Sequence, residues 1–267
     1  MVVGEAINLE YKMKPGEVLQ YKTTVQSEQT LQEGTQTASG TSTMEMVMSQ
    51  KATEVSPEGT MGVEVTIESV GLKRDGQSVP FEDGQDPTGK TVAMKMKKNG
   101  EVVQTSMDLP FSQPPFPSRA IKKGETWTGD SKIPVPMTND EGAVTGHREV
   151  TLRYHYSLWD FTRVQGYECA EIRVSCPEST IPLQDKVEQR ISATGTTYFA
   201  YKEGRLVRSE VETDSSISAP DVSIKNHIKV RVELQGDSPG GGGGGGEQRP
   251  PAGPTFAPGG GDEFIIR

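Results

Sequence analysis

The chain has 267 residues, with 28 Lys and Arg against 37 Asp and Glu, and its net charge is −9. A chain this acidic lacks the positive field that nucleic-acid binding requires, so we expect no DNA or RNA partner. No stretch approaches the roughly 20 apolar residues that a transmembrane helix needs. Two cysteines and three histidines are too few for a zinc cluster or a disulfide framework.

The N-terminal residues do not resemble a signal peptide, because residues 6–11 already alternate like a β-strand and no charged and apolar leader precedes them. This start fits a cytosolic protein, and it also fits a mature secreted domain whose leader has been removed. Cys169 and Cys176 have an odd spacing on one predicted strand, which places them on opposite faces and about 23 Å apart. We therefore predict two free thiols, at least one of which faces the core.

Apolar and polar residues alternate in many short segments of about four to eight residues, which predicts β-strands with one buried and one exposed face. Turn signals such as Pro15-Gly16 and Asn99-Gly100 separate these segments. We predict an all-β chain of roughly a dozen antiparallel strands. The clearest alternating segments are 44–48, 63–67, 152–158, 172–174 and 230–234.

The turn glycines recur at a nearly constant offset, which indicates an internal duplication. Gly16 corresponds to Gly124 (124 − 16 = 108), and Gly100 corresponds to Gly204 (204 − 100 = 104). Four such pairs occur in the same order in both halves, which makes a chance alignment a poor explanation. The other two pairs are Gly40 with Gly146 and Gly59 with Gly166.

These offsets divide the chain into β repeat 1 at residues 5–109, a connector at 110–117 and β repeat 2 at 118–235. The connector is rich in proline, which favours an extended and semi-rigid joint. Neither repeat is rich in large apolar residues. We therefore expect a shared core, in which both homologous copies contribute to a curved sheet, a sandwich or a barrel-like arrangement.

The last segment, residues 236–267, is rich in Gly and Pro and contains seven consecutive glycines. Such a sequence cannot bury enough apolar area to offset its chain entropy, so we predict a flexible tail. Near its end, Phe264, Ile265 and Ile266 form a short apolar segment. Two interpretations fit: a strand that adds to an open sheet edge of this molecule or of a neighbour, or a disordered tail with three apolar residues by chance.

Residues 84–91 match the P-loop expression G-x-x-x-x-G-K-[ST], in which backbone amides bind phosphates. A P-loop opens a helix, whereas Val92, Met94 and Met96 alternate as a strand. In the second repeat, the aligned residues around Gly195 lack the lysine. We therefore predict that this segment is the entrance to a repeated β-strand, and we expect no nucleotide.

The remaining polar candidates do not form a convincing metal or catalytic site. The acidic loop at 82–86 offers oxygen ligands, but its spacing does not match an EF-hand. His147 and His155 share one face of a predicted strand at about 26 Å separation, which is too far for one metal ion, and His227 stands alone. We expect no cofactor and no catalytic residues.

Aromatic residues are concentrated in two predicted strands of the second repeat. A face of aromatic side chains can bind an apolar ligand or a glycan, and it can equally fill a β core. The methionines at 44–48 and 94–96 allow the same two interpretations. The six candidate residues for a ligand-binding or core face are Tyr154, Tyr156, Trp159, Phe161, Tyr198 and Tyr201.

Three segments resemble the recurring signatures of uncharacterised secreted or lipid-anchored β-rich bacterial proteins, a family of unknown function. They are residues 14–21 (KPGEVLQY), residues 123–127 (KGETW) after a Pro-Phe-Pro segment, and residues 194–206. The resemblance covers about residues 5–235 and omits the tail. It implies an extracytoplasmic β domain with no assigned catalytic residues. This chain departs from that family in showing neither a signal peptide nor a lipobox cysteine.

These observations favour a non-catalytic, extracytoplasmic protein with a binding or structural role at the cell envelope, either secreted or envelope-associated. A second hypothesis is a carrier whose curved sheet holds an apolar ligand, which requires an internal apolar cavity on the order of several hundred Å³. A third is an enzyme of unidentified class, which requires a cleft with convergent ionisable groups. We expect self-association or a protein partner through an edge strand or through the tail.

Overall fold

The computed structural model describes residues 6–82, 84–105, 116–138, 144–184 and 187–238. Within these ranges the chain forms twelve β-strands and no helix, which confirms the all-β prediction. The first six strands are β1 Val18–Glu33, β2 Gln36–Val55, β3 Met61–Arg74, β4 Gln77–Val79, β5 Thr91–Met96 and β6 Val102–Thr105. The other six are β7 Thr126–Thr138, β8 Val144–Val164, β9 Tyr167–Gln184, β10 Val187–Ala200, β11 Arg205–Ser218 and β12 Val222–Ser238.

All twelve strands belong to one antiparallel sheet. Eleven of them follow one another in a single order across the sheet, and β4 pairs with β3 outside this order. Most strands pair with their neighbours in sequence, so hairpins make most of the connections. The pairing of β1 with β12 joins the first half of the chain to the second. Both predicted repeats therefore lie in a single sheet, with β6 and β7 at its two ends. The strand order is β6-β5-β3-β2-β1-β12-β11-β10-β9-β8-β7.

Two segments outside the sheet, residues 7–13 and 116–121, pack against one face of it, and we call them the plug segments. An antiparallel bridge joins them, because the amides of Ile7 and Ile121 each donate to the other residue's carbonyl oxygen at 2.8 Å. The second segment is also hydrogen-bonded to the β5–β6 turn. The two segments thus form one small unit that is fixed to the sheet through backbone hydrogen bonds.

The largest buried cluster forms where the plug segments meet the sheet. Tyr11 and Phe116 stack at a ring distance of 5.2 Å, and Phe199 meets them edge-on at 5.0 and 4.6 Å. Because strands from both flanks of the sheet contact the same plug segments, the sheet must curve around them. We call this concave side the inner face. The buried strand residues of the cluster are Met46, Met48, Met61, Val63, Val65, Met94, Met96, Tyr156, Leu158, Ala170, Ile172 and Phe199.

The turns that begin the two halves of the chain make matching hydrogen bonds. The amide of Gly16 donates to the carbonyl of Ala52 at 2.8 Å, and the amide of Gly124 donates to the carbonyl of Leu158 at 2.7 Å. Both glycines have a positive φ (82° and 86°), which a side chain would strain. β1 and β7 begin at the same offset as these glycines (126 − 18 = 108). These matching contacts support the predicted internal duplication. Common descent of the two halves remains a prediction.

Most of the strands are much longer than the four to eight residues that alternation predicts, and only β4, β5 and β6 are short. β2 has 20 residues and β8 has 21. Gly40 and Gly146, which the sequence analysis counts among the turn glycines, lie inside these two strands, so the prediction of turns at these two positions is wrong. The reason is that the distal part of β2 is rich in Thr, Ser and Gln. Such residues pair through the backbone without an alternating apolar pattern.

The segment that matches the P-loop expression consists of turns, and β5 follows it from Thr91 onward. The amide of Gly89 donates to the carbonyl of Ile67 at 2.7 Å, and the amide of Ile67 donates to the carbonyl of Lys90 at 3.0 Å. These bonds hold the turn against β3. The predicted strand after Lys90 is confirmed.

Gly195, which aligns with Gly89 in the second repeat, lies inside β10 and not at a strand entrance. The prediction of a repeated entrance is therefore wrong for the second copy. A Cβ atom at Gly195 would collide with the backbone oxygen of Glu210 and with Val211 on β11. Glycine is needed here because the two strands approach each other closely.

Candidate functional site

Eight strands each contribute one residue to a continuous row on the inner face. Register partners in an antiparallel sheet point to the same face, so the pairings can be followed from strand to strand. Val25 on β1 is paired with Met44 on β2 and with Val230 on β12, and the row ends at Trp127 on β7. We call this row the inner band. In sheet order it consists of Met44, Val25, Val230, Val211, Gly195, Val174, Tyr156 and Trp127.

The inner band lies at the border between the buried core and the more exposed part of the inner face. One row closer to the plug segments, Thr23 and Met46 are 0% and 3% exposed. In the band itself, Val25, Val211 and Val230 are only partly buried. The band therefore presents aliphatic surface that the described residues cover incompletely.

A second apolar group lies further from the plug segments on the same three central strands. Ile224 on β12 is paired with Leu31 on β1 and with Ile217 on β11. Leu31 is 37% exposed, although it points to the inner face. Between this group and the inner band, β12 presents first Ile228 and then Asn226. Two rows separate this group from the inner band, and on β1 and β11 both rows are polar. The six residues of these rows are Ser27, Ile228, Thr213, Gln29, Asn226 and Ser215, of which only Ile228 is apolar.

Aromatic rings form one end of the inner band. Trp127 stacks on Tyr156 with ring centroids 5.5 Å apart and planes 13° apart, and Tyr154 lies 6.4 Å from Tyr156. Burial raises the pKa of Tyr156 to about 12. Burial also raises the pKa of the Cys176 thiol, one row beyond the band. Both groups are neutral at neutral pH, so the band carries no charge.

The outer face of the same strands is charged. The imidazole of His227 lies 2.8 Å from the carboxylate of Asp214, and this hydrogen bond raises the pKa of the histidine. Exposed ion pairs contribute little stability, but opposite charges in directly opposed positions favour one register. The four successive pairs between β11 and β12 are Arg208–Glu233, Glu210–Arg231, Glu212–Lys229 and Asp214–His227.

The structure distributes the six aromatic residues that the sequence suggests over several surfaces. Tyr154 and Tyr156 lie on the inner face at the end of the band. Phe161 and Tyr201 contact each other edge-on at 5.6 Å and pack against the core around the plug segments. Four of the six therefore belong to the core or to its border.

The remaining two, Trp159 and Tyr198, lie elsewhere. Trp159 is 50% exposed, and the guanidinium of Arg173 lies 3.4 Å from its ring centroid. A β-bulge leaves Trp159 without a register partner, because Leu158 and Asp160 pair with consecutive residues of β9. Tyr198 packs against a separate small cluster of buried residues. The bulge changes which residues face inward, and the sequence carries no visible signal for it.

Sequence reasoning missed most of the aliphatic part of the inner band. Val25 follows two threonines in the segment 21–25, where the alternation is weak. Val211 stands in a strand with few apolar residues. The alternation at 230–234 did identify β12, but only the register places Val25 and Val211 on either side of Val230.

The other candidates from the sequence do not converge. Among the described residues, no three His, Cys, Asp or Glu side chains are close enough to bind a metal ion. Asp83 and the segment Phe264–Ile266 lie outside the described residues. Cys169 and Cys176 are both free and buried, which confirms the predicted free thiols.

Two pockets within the described part of the chain are open to solvent and have mixed linings. One of about 540 Å³ lies beside β2, β3 and β4, where Leu72, Val79 and Phe81 line it together with the charged residues Glu45, Lys73 and Asp86. Another of about 340 Å³ lies over β1 and β10–β12 and includes Glu28 and Arg190. Neither is an enclosed cavity, so neither is the internal apolar cavity that the carrier hypothesis requires. The apolar surface found in the described residues is instead the open inner face.

The fold and this face define an all-β protein with one open, curved antiparallel sheet, which carries an apolar band on its inner face and charged pairs on the outer face of β11 and β12. None of the described segments is a helix with the length and hydrophobicity that a membrane span needs. No protein-family model matches the chain, and no curated protein matches its sequence.

Solved structures do resemble it. A structure of lipovitellin, described by its lipid–protein interactions, matches 88% of this chain at 11% identity with a TM-score of 0.51. The match spans only 27% of the lipovitellin chain, and at this identity it shows similarity of fold alone. The translocator domain of the autotransporter NalP from Neisseria meningitidis is 10% identical over 84% of this chain and 90% of that chain, with a TM-score of 0.21. The transport unit of the autotransporter AIDA-I from Escherichia coli is 10% identical over 84% of this chain and 92% of that chain, with a TM-score of 0.17.

Proposed function

We propose that this protein is a non-catalytic, extracytoplasmic binding protein whose curved sheet holds an apolar molecule against the inner band. The observation that carries this proposal is the continuity of the band. It crosses eight strands without a charged residue, and its central valines are only partly buried. The proposed location rests on the resemblance to secreted β-rich proteins and not on the fold.

The binding free energy for such a molecule would come mainly from the burial of apolar surface. Completing the burial of a half-exposed valine contributes roughly 1 kcal/mol, so several valines together provide a useful part of the affinity. The neutral forms of Tyr156 and Cys176 impose no charge that would have to be desolvated. The fold similarity to lipovitellin, whose structure is described by its lipid–protein interactions, is consistent with a ligand of this kind.

The proposal can be tested with the fluorescent fatty acid cis-parinaric acid. The chain has two tryptophans, so Trp159→Phe leaves Trp127, at the end of the band, as the only energy-transfer donor. In this background we expect saturable quenching of Trp127. The triple variant V25T/V211T/V230T places three hydroxyl groups in the band, and we expect binding to weaken at least about tenfold.

A matched control makes the reverse substitution, threonine to valine, at three positions on the outer face. Thr24, Thr194 and Thr196 are register partners of charged residues on that face, so T24V/T194V/T196V should leave the affinity unchanged. Circular dichroism spectra should confirm that all variants are folded. Absence of saturable quenching, or equal weakening by the outer-face variant, would overturn the proposal.

A further inference from the structure

The inner face of the five central strands carries no charged residue from the inner band to the apolar group at Leu31. These strands are β2, β1, β12, β11 and β10, and the structure describes all of their residues in this stretch. Register partners define three rows beyond the band, and we call these three rows the neutral patch. In sheet order they are Ser42, Ser27, Ile228, Thr213 and Ala193, then Gly40, Gln29, Asn226, Ser215 and Ile191, and then Ala38, Leu31, Ile224, Ile217 and Gln189.

The outer face of the same strands is charged along the same length. Successive residues of a strand point to opposite faces, so three outer rows alternate with the rows of the inner face. These outer rows contain Glu28, Arg190, Glu212, Asp214, Lys225 and Lys229. The neutral patch therefore reflects the placement of the charges and not a shortage of charged residues in these strands.

Polar side chains without charge lie in the middle of the neutral patch. Val25 and Leu31 are six residues apart on β1 (31 − 25 = 6), which corresponds to about 20 Å along the strand. Between them, β1 and β11 present hydroxyl and amide groups, which can donate and accept hydrogen bonds without a net charge. The polar group of a ligand could therefore be hydrogen-bonded here while its hydrocarbon chain contacts the inner band. The polar residues of these two strands are Ser27, Gln29, Thr213 and Ser215.

An ionised headgroup would be poorly compensated on this surface. Removing a carboxylate or a phosphate from water costs free energy unless a cation pairs with it, and the neutral patch contains no cation. Arg74 lies in the first of the three rows, but on β3, one strand beyond the patch. The next row toward the strand ends carries Glu33, whose carboxylate would repel an anion. An ester, amide or hydroxyl group would not incur this cost.

We infer that the molecule held by the inner face is a neutral long-chain lipid, whose ester, amide or hydroxyl group lies over the polar residues of the neutral patch. Its hydrocarbon chain contacts the inner band. This inference rests on the proposed function and narrows the ligand from apolar molecules in general to uncharged lipids.

Two probes with the same hydrocarbon chain test this inference. They are cis-parinaric acid, which is ionised at about pH 8, and its methyl ester. Quenching of Trp127 in the Trp159→Phe background measures the dissociation constant of each probe. We expect the ester to bind at least about tenfold more tightly than the acid.

Two matched variants separate the effect of the neutral patch from the greater hydrophobicity of the ester. Gln29 and Gln26 are both exposed residues of β1, and they lie on opposite faces of the sheet. The variant Q29K places a cation in the patch, so we expect the acid to gain affinity and the preference for the ester to fall below about threefold. The variant Q26K adds the same charge to the outer face, and the preference should persist.

The outcomes distinguish this inference from the proposed function. Equal affinities for the two probes, or tighter binding of the acid that Arg74→Gln abolishes, would overturn the inference and leave the proposed function standing. A preference for the ester that Q29K reduces no more than Q26K would also overturn it. Ester binding that appears only after deletion of residues 239–267 would show that the tail covers the patch, which would overturn it as well. Absence of saturable quenching by both probes would overturn the proposed function itself.

Discussion

Phe199 is the residue whose truncation tests the core most sharply. It is 0% exposed, and its ring meets Tyr11 and Phe116 of the plug segments at 5.0 and 4.6 Å. In Phe199→Ala both ring contacts are lost and a cavity remains. Truncation of a fully buried phenylalanine costs about 3–5 kcal/mol, which is a large share of the 5–15 kcal/mol that stabilises a typical domain.

Equilibrium unfolding in urea, followed by tryptophan fluorescence, measures this effect. We expect the midpoint of Phe199→Ala to fall by about 1–2 M urea, with a slope like that of the unmodified chain. Val103→Ala is the control, because Val103 is 48% exposed and its truncation should change the free energy of unfolding by less than about 0.5 kcal/mol. A loss below about 1 kcal/mol for Phe199→Ala would refute the packing of the plug segments against β10.

Three further predictions concern individual positions. The hydroxyl of Thr23 is buried without a hydrogen-bond partner among the described residues, so Thr23→Val should raise the free energy of unfolding by about 1 kcal/mol in urea. Gly195→Ala should lower it by about 1–3 kcal/mol and depress the melting temperature, because the new methyl group collides with the backbone oxygen of Glu210. A gain in thermal stability would contradict this. Burial raises the pKa of Cys169 to about 11 and also raises that of Cys176, so neither thiol should react with a thiol-specific reagent near pH 8 until the protein is unfolded.

The sequence predicted the fold class because the strand halves beside the plug segments alternate clearly. The segments 44–48, 63–67 and 152–158 each place apolar residues on the buried face, as the structure shows. The distal half of β2 could not be predicted in this way. Most of its Thr, Ser and Gln residues are exposed, and backbone pairing with β1 holds it in the sheet.

The candidate site was harder to predict than the fold, because it depends on register. Val25, Val211 and Val230 are far apart in sequence and lie side by side only because β12 pairs with both β1 and β11. A long-range pairing of this kind leaves no local pattern. Trp159 illustrates a second limit, since one unpaired bulge residue changes which side chains of β8 face inward.

The most direct test of the proposed binding face is photolabelling with a fatty acid that carries a diazirine in its chain, followed by tandem mass spectrometry that assigns the label to individual residues. Because successive residues of a strand point to opposite faces, the inner band predicts label on the inward-facing residues of β1, β11 and β12, which an excess of unlabelled fatty acid removes. Label on the outward-facing residues of these strands, or label that excess fatty acid does not displace, would contradict binding at this face.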